Sequence, residues 1–276
     1  MWLYIVIGLW EKIVLHEIDF INIWNIEENK MNSLIVGYGI VGHNLAEELK
    51  NIKPDIYDKY KEQENTKRDN IKYDFVFICV DTPLLKDNSL DTREVLNAIN
   101  ENDGKIYIIK STCPIGTVKD LKEKTGKRII FSPEYYGNTP HCNTYNFDFT
   151  ILGGNKEDCL AVIQLLQHCY NGNHTFRITD SETAELAKFM ENSYLAMKVS
   201  FCSQFYNLCK QYDLSYEELR ELFVLDPRVN NSHTFIYEDK PYWDSHCLNK
   251  DVSYIAYQCN AELLQDICEF NEKQKR

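Results

Sequence analysis

The chain carries no excess of basic charge. Its 30 Lys and Arg against 42 Asp and Glu give a formal net charge of −12 over 276 residues. That balance argues against a general nucleic-acid binder. Among ten cysteines there is no CxxC pair, so neither a zinc cluster nor a thioredoxin-like redox motif is expected. Adjacent His141 and Cys142 have no further ligands nearby in sequence, and no metal is implied. Several cysteines fall in apolar patterns, where a free thiol behaves as a small hydrophobe. We read a reducing, cytoplasmic compartment without disulfides. No apolar run is long enough to span a bilayer. Residues 1–10 are nearly all apolar, but Glu11, Lys12, His16, Glu17 and Asp19 follow at once. A basic leader with a small-residue cleavage site is also lacking. Neither a solenoid-period repeat nor a low-complexity segment is found. Residues 1–30 read as an extension outside the core fold, or alternatively as a membrane-surface or partner-binding helix.

What is present is an alternation. Strand-like runs at 33–37, 55–58, 73–80, 105–110 and 128–131 alternate with helical patterns at 41–49, 90–100 and 117–124. Runs at 146–152, 157–170 and 174–178 extend the series. The spacing predicts an α/β fold, a Rossmann-like doubly wound parallel sheet, over residues 31–178. From 179 to 276 the pattern is helical, and this is expected to form a second, all-α domain. Asp180 or Ser181 is placed to cap a long helix reaching about Tyr212. On it Leu186, Met190, Tyr194, Met197, Phe201, Phe205 and Leu208 form one apolar stripe. Lys188, Asn192, Leu195, Val199, Cys202 and Tyr206 form a second, largely apolar face. A helix apolar on two sides must be buried on two sides. This predicts packing on its own domain and on the other domain or a second subunit, so a homodimer through the 180–212 helix is expected. Further helices are predicted at 215–223 and 251–271.

Gly37-Tyr38-Gly39-Ile40-Val41-Gly42 follows the first strand and opens the first helix. In such a loop the first glycine permits a tight turn. The second lets a pyrophosphate approach the backbone, and the third lets helix and strand pack closely. The helix N-terminus offers free N–H groups to phosphates. Asp58, at the end of the second strand, is placed to accept hydrogen bonds from a ribose 2′-OH, which favours NAD over NADP. Farther on, Lys188 and Asn192 stand four apart on one helix face, a cation and an amide suited to charge on a tetrahedral oxygen. Cys247 is followed by Lys250 and Asp251. If Asp251 begins the last helix, the thiol lies near a helix start and a lysine, and a lowered thiol pKa is expected.

Further segments make a family visible. Cys79-Val80-Asp81-Thr82-Pro83 has the form of a strand end beside a cofactor. Ser111-Thr112-Cys113-Pro114-Ile115-Gly116-Thr117 is similar to an STVPxGT motif, and Ser132-Pro133-Glu134-Tyr135-Tyr136 to an SPEFL motif. Asp226-Pro227-Arg228 is similar to a DxRIG segment, and the run from Cys247 to Asp251 to a CxPKD motif. In this order, from about Met31 onward, the chain resembles the nucleotide-sugar 6-dehydrogenases, the UDP-glucose and GDP-mannose dehydrogenase family. The resemblance implies NAD-dependent oxidation of a nucleotide sugar, UDP-glucose first, from alcohol to carboxylate through a cysteine thioester. It implies Cys247 as nucleophile, with Lys188 and Asn192 holding the oxyanion. Asp251 and Thr112 would activate water, and Glu134 would assist acid–base chemistry. Thr82, Thr112 and Lys250 would contact the cofactor. Tyr135 and Tyr136 would line the sugar pocket, and Arg228 would reach substrate, by way of a dimer interface if necessary.

Three departures stand against the family pattern. Tyr242-Trp243-Asp244-Ser245-His246 replaces a glycine-rich stretch before the nucleophile, so a narrowed or reshaped pocket is expected. Asn138 replaces an expected glutamate. The chain also stops after the helix that follows Asp251, where the family continues into a nucleotide-binding domain. Two alternatives therefore remain open: an NAD-binding relic without turnover, and a β-hydroxyacid dehydrogenase of the 6-phosphogluconate type. The latter needs no cysteine nucleophile, so Cys247 speaks against it.

Overall fold

A computed structural model of the chain describes residues 31–136, 147–170 and 172–276. The expectations for residues 1–30, Asn138, His141 and Cys142 lie outside the described residues. The chain divides into units Met1–Lys30 and Met31–Arg276, and the second unit holds the sheet and the helices.

Seven strands form one sheet in the order β2-β1-β3-β4-β5-β6-β7. They are β1 (Ser33–Val36), β2 (Asp55–Tyr57), β3 (Tyr73–Ile78), β4 (Gly104–Ile109), β5 (Ile129–Phe131), β6 (Phe149–Gly153) and β7 (Thr175–Thr179). The first five pair in parallel, β5 and β6 are antiparallel, and β6 and β7 are parallel. The central strands are apolar on both faces because helices cover both faces. Along β3, Val76 and Ile78 join one core layer with Val95, Ile99 and Val118. Phe75 and Phe77 join the opposite layer with Leu45, Ile108 and Val162. The helices responsible are α1 (Ile40–Glu48), α2 (Arg93–Glu101), α3 (Thr117–Thr125) and α4 (Lys156–Leu166).

The chain runs from β1 outward to β2 and crosses back to β3. The sheet therefore opens a crevice at the carboxyl ends of β1 and β3, the switch point where such sheets bind ligands. The exposed edge of β2 is closed by its own chain: the Thr66 and Lys67 N–H groups both donate to Ile56 C=O, at 2.9 and 3.0 Å.

The 32-residue helix α5 (Ser181–Tyr212) comes next, and Asp180 caps it by accepting from Thr183 N at 2.7 Å. Its two apolar faces have different fates. The face with Lys188, Asn192, Cys202 and Tyr206 is buried, whereas Leu186, Met190, Tyr194, Phe201 and Phe205 remain exposed, Met190 at 75%. Glu185 joins α5 to the sheet domain. Its carboxylate accepts from Gly116 N at 2.5 Å and Val118 N at 2.9 Å, closing the first turn of α3. Replacing Glu185 with Ala leaves both N–H groups without a partner and is expected to cost about 2–4 kcal/mol, read as a lower denaturant midpoint. Burial raises the Glu185 carboxyl from 4.5 to about 7 against the pull of those two N–H groups. The fold thus binds this proton more tightly than the unfolded chain. Its contribution is greatest at acid pH and declines as pH rises to about 7.

One expectation is corrected. The single helix expected over 251–271 is α7 (His246–Ser253), a π-helical turn (Tyr254–Gln258) and α8 (Glu262–Gln274). Ser245 caps α7 by accepting from Leu248 N, which moves the helix start ahead of Cys247. After the π turn Asn260 takes a left-handed conformation with φ 53°, and α8 begins anew. Before α7 came α6 (Tyr216–Phe223), capped by Ser215.

Candidate active site

One cleft of about 1910 Å³ runs from the glycine turn to the start of α7. At its sheet end Gly37 adopts φ 91°, and a Cβ there would lie 2.7 Å from Cys79 C=O. A Cβ on Gly42 would lie 1.9 Å from Gly37 C=O, so the helix can approach the strand only without one. Gly39 differs: a Cβ on it meets nothing within 4 Å. Its Cα faces open cleft at the head of α1, where a phosphate fits against backbone N–H groups. Asp58 also lines the cleft, its carboxylate oriented by Tyr38 N at 2.7 Å and Tyr60 N at 2.8 Å. Gly37, Gly39, Ile40, Val41 and Asp58 thus lie along one wall, with Gly42 buried beneath them. The arrangement fits a dinucleotide.

The other wall comes from α5 and α7. Lys188 and Asn192 are each 4% exposed yet border the cleft, as do Cys247, Lys250, Thr82, Thr112, Glu134, Tyr135 and Tyr136. A buried polar chain ties the walls together. Asn192 Nδ2 donates to Asp251 Oδ2 at 2.6 Å. Lys250 Nζ lies 3.0 Å from Asp251 Oδ1 and donates to Thr82 Oγ1 at 3.1 Å. The Thr82 hydroxyl in turn donates to Thr112 C=O at 2.7 Å. The ammonium lies off the hydrogen-bonding direction of Asp251 Oδ1. That fully buried oxygen therefore has an ion pair but no hydrogen-bond donor among the described residues. Asp251 sits behind the cleft wall and acts on it through Asn192 and Lys250.

Electrostatics corrects a second expectation. Cys247 lies in the first turn of α7 and is half-buried. Its thiol is pushed up, not down: burial comes first, then the carboxylates of Glu134 and Asp251, and these outweigh Lys188 and Lys250. The expectation from sequence counted the lysines but could not see the acids facing them. Burial likewise raises Glu134, against Lys188 and Lys110. For Lys188 burial pulls downward, but Glu134 and Glu191 outweigh it and hold the ammonium above the ordinary lysine value.

The other assigned residues sort by position. Tyr135 lies beneath the Lys188 ammonium, 4.9 Å from ring centroid to Nζ, and packs on Phe149. Tyr136 lines the cleft, and its hydroxyl is raised by burial and by Glu48 of α1. Arg228 is not brought to the cleft of its own chain: it is exposed and forked onto Asp226, with Nη2 to Oδ2 at 2.6 Å. The loop that replaces the glycines is clamped. Trp243 is buried between α5, α7 and α8, its indole N–H on Ser200 Oγ and its backbone gripped at both polar atoms by Asn271. Two cleft residues escaped the sequence reading. Lys110 follows β4, is 9% exposed and is pulled down by burial. Glu191 lies 2.9 Å from Lys188. A lysine closing an apolar strand was the available signal for the first; nothing in the pattern marked the second.

Fold and site define a Rossmann-like dinucleotide-binding protein with a half-buried thiol and a buried amide and cation on the same cleft. Residues 7–171 match the model of the UDP-glucose/GDP-mannose dehydrogenase family, NAD binding domain, and residues 182–273 match that family's central domain. The chain belongs to this family. A UDP-N-acetyl-D-mannosamine dehydrogenase of Methanococcus aeolicus is 31% identical over 216 residues, covering 72% of this chain and 48% of that protein. A UDP-glucose 6-dehydrogenase of Campylobacter jejuni is 27% identical over 292 residues, covering 96% and 73%. The solved UDP-glucose dehydrogenase from Pyrobaculum islandicum superposes with TM-score 0.74 at 19% identity, covering 88% of this chain and 68% of that one. That likeness shows the fold. Several curated relatives are much longer; the chain spans 48% and 60% of the two Methanococcus proteins from M. aeolicus and M. vannielii.

Proposed function

We propose that this chain oxidises the C6 hydroxyl of a nucleotide sugar to a carboxylate with NAD, UDP-glucose being the first substrate to test and UDP-N-acetylmannosamine the second. The observation that carries the reading is Cys247 on the same cleft as Lys188, Asn192 and the open face of Gly39. NAD, when bound against residues 37–42 and Asp58, supplies a hydride acceptor for each of the two oxidations. Between them Cys247 sulfur bonds to the aldehyde carbon as a thiohemiacetal, its proton passing to the former carbonyl oxygen. Lys188 and Asn192 donate hydrogen bonds to that oxygen. After the second oxidation Cys247 holds the acyl group as a thioester. Water held by Thr112 and Glu134, with Asp251 acting from behind the wall through Asn192 and Lys250, adds to it, releasing the carboxylate and restoring the thiol. Covalent capture retains the aldehyde between the two oxidations. Residues 31–178 serve as the nucleotide-binding domain, and 179–276 carry the nucleophile and the dimer helix, in a reducing cytoplasm that keeps Cys247 free.

The test is NADH formation with a panel of UDP- and GDP-sugars. Two NADH per sugar supports the reading. Tight NAD binding with no NADH from any sugar would leave a binding protein without turnover.

The exposed stripe Leu186, Met190, Tyr194, Phe201 and Phe205 supports a homodimer through α5. Burying a large apolar side chain contributes roughly 1.5–3 kcal/mol. Met190→Asp and Phe201→Asp are expected to convert the sedimenting species from dimer to monomer. A wild-type chain that is monomeric at micromolar concentration would sink the proposal. In a dimer Arg228, outside its own cleft, would serve the cleft of the second copy.

A further inference from the structure

The pair assigned to the oxyanion is already engaged. Asn192 Nδ2 is given to Asp251, and the hydrogen-bond partner of Lys188 among the described residues is Glu191 Oε2, at 2.9 Å. The Tyr135 ring supports the same ammonium from the other side, at 4.9 Å. The two partners differ in access. Asp251 is fully buried, whereas the Glu191 side chain is 30% exposed and lines the cleft. A hydrogen-bond donor on a bound sugar can therefore reach Glu191 and cannot reach Asp251.

Carboxylates and lysines from four elements surround the thiol. Glu134 follows β5, Glu191 and Lys188 lie on α5, Asp251 and Lys250 on α7, and Lys110 follows β4. Glu134 and Asp251 act on Cys247 against Lys188 and Lys250. Glu191 does act on Lys188. Its 2.9 Å contact with Lys188 is the geometric route by which it reaches the thiol.

We propose that Glu191 is a positioning residue: its carboxylate parks Lys188 in the free protein and, on accepting a hydroxyl or amide N–H of the bound sugar, releases Lys188 to the oxygen of the adduct at Cys247. The inference rests on the roles proposed above for Cys247 and Lys188. No bond is made or broken in the exchange; one hydrogen-bond acceptor of the ammonium replaces another. The i, i+3 spacing of Lys188 and Glu191 on α5 places both on one helical face, so the exchange needs only side-chain rotation.

The test is the pH profile of Cys247 alkylation by iodoacetamide in the full chain, followed on the Cys247 peptide by mass spectrometry. An opposite charge within a few ångströms moves a titration by one unit or more. Glu191→Gln is expected to lower the midpoint by about one pH unit, and Glu191→Asp to fall between it and wild type. Lys188→Met should raise the midpoint, and adding Glu191→Gln to it should change nothing further. With a sugar that turns over, Glu191→Gln should raise the sugar KM about fivefold or more, the NAD KM staying unchanged. An unmoved alkylation midpoint in Glu191→Gln, or a shift that persists without Lys188, overturns the proposal. If Lys188→Met fails to fold, the Glu191 variants at their partly exposed site still decide it. Absence of turnover with every sugar counts against the proposed function only, because the alkylation profile requires no substrate.

Discussion

Replacing Cys247 with Ser is expected to cut turnover by roughly a thousandfold, a barrier increase of ~4 kcal/mol at 1.36 kcal/mol per decade. The loss should fall on the second NADH. A serine hydroxyl is a far weaker nucleophile than a thiolate. Without capture, the aldehyde returns to alcohol by reversal of the first oxidation. NADH should then stay below one per sugar, while NAD binding is unchanged because Cys247 is not part of the 37–42 turn or Asp58. The wild-type thiol is itself raised by burial and by the two carboxylates. Turnover should therefore increase with pH through the neutral range, since the fraction present as thiolate grows. Two NADH per sugar in Cys247→Ser would show that the thiol is not the carrier of the acyl group.

Gly39→Val is expected to weaken NAD binding by about 100-fold, ~2.7 kcal/mol, without lowering Tm. Gly39 has φ −78° and ψ −156°, an extended conformation that valine adopts freely. Its added atoms enter open cleft, which is where the pyrophosphate must come close. Gly42→Ala should do the reverse. Its Cβ would collide with Gly37 C=O, a backbone atom that cannot turn aside. A cost of roughly 3 kcal/mol and a Tm lower by about 6–12 °C are expected. Calorimetric titration of NAD alongside thermal melts separates the two. Equal loss of stability in both variants would mean that the open face of Gly39 is a packing gap and not a phosphate site.

The parallel sheet was legible because β-rich runs separated by helical patterns leave few topologies once crossovers must be right-handed. The glycine spacing marked the turn for the same local reason: backbone approach at Gly37 and Gly42 requires the absence of a Cβ. The break between α7 and α8 was not legible. The apolar pattern over 251–271 continues through it, and only the Ser245 cap and the left-handed Asn260 show where the chain changes direction. The clamp on Trp243 was hidden for a related reason. Asn271 lies 28 residues away, and no pattern of spacing couples an asparagine to a backbone so distant.

By itself the sequence determined the fold class, the dinucleotide turn and the residue types available for chemistry, because each follows from local steric rules or from side chains near one another along the chain. Tertiary structure decided their electrical state and their reach. It set Glu134 and Asp251 against the lysines around Cys247, gave Lys188 to Glu191, and left Arg228 outside its own cleft. Those outcomes depend on distances between groups tens of residues apart and on the water removed from around them. Coulomb energy and desolvation are functions of that packing.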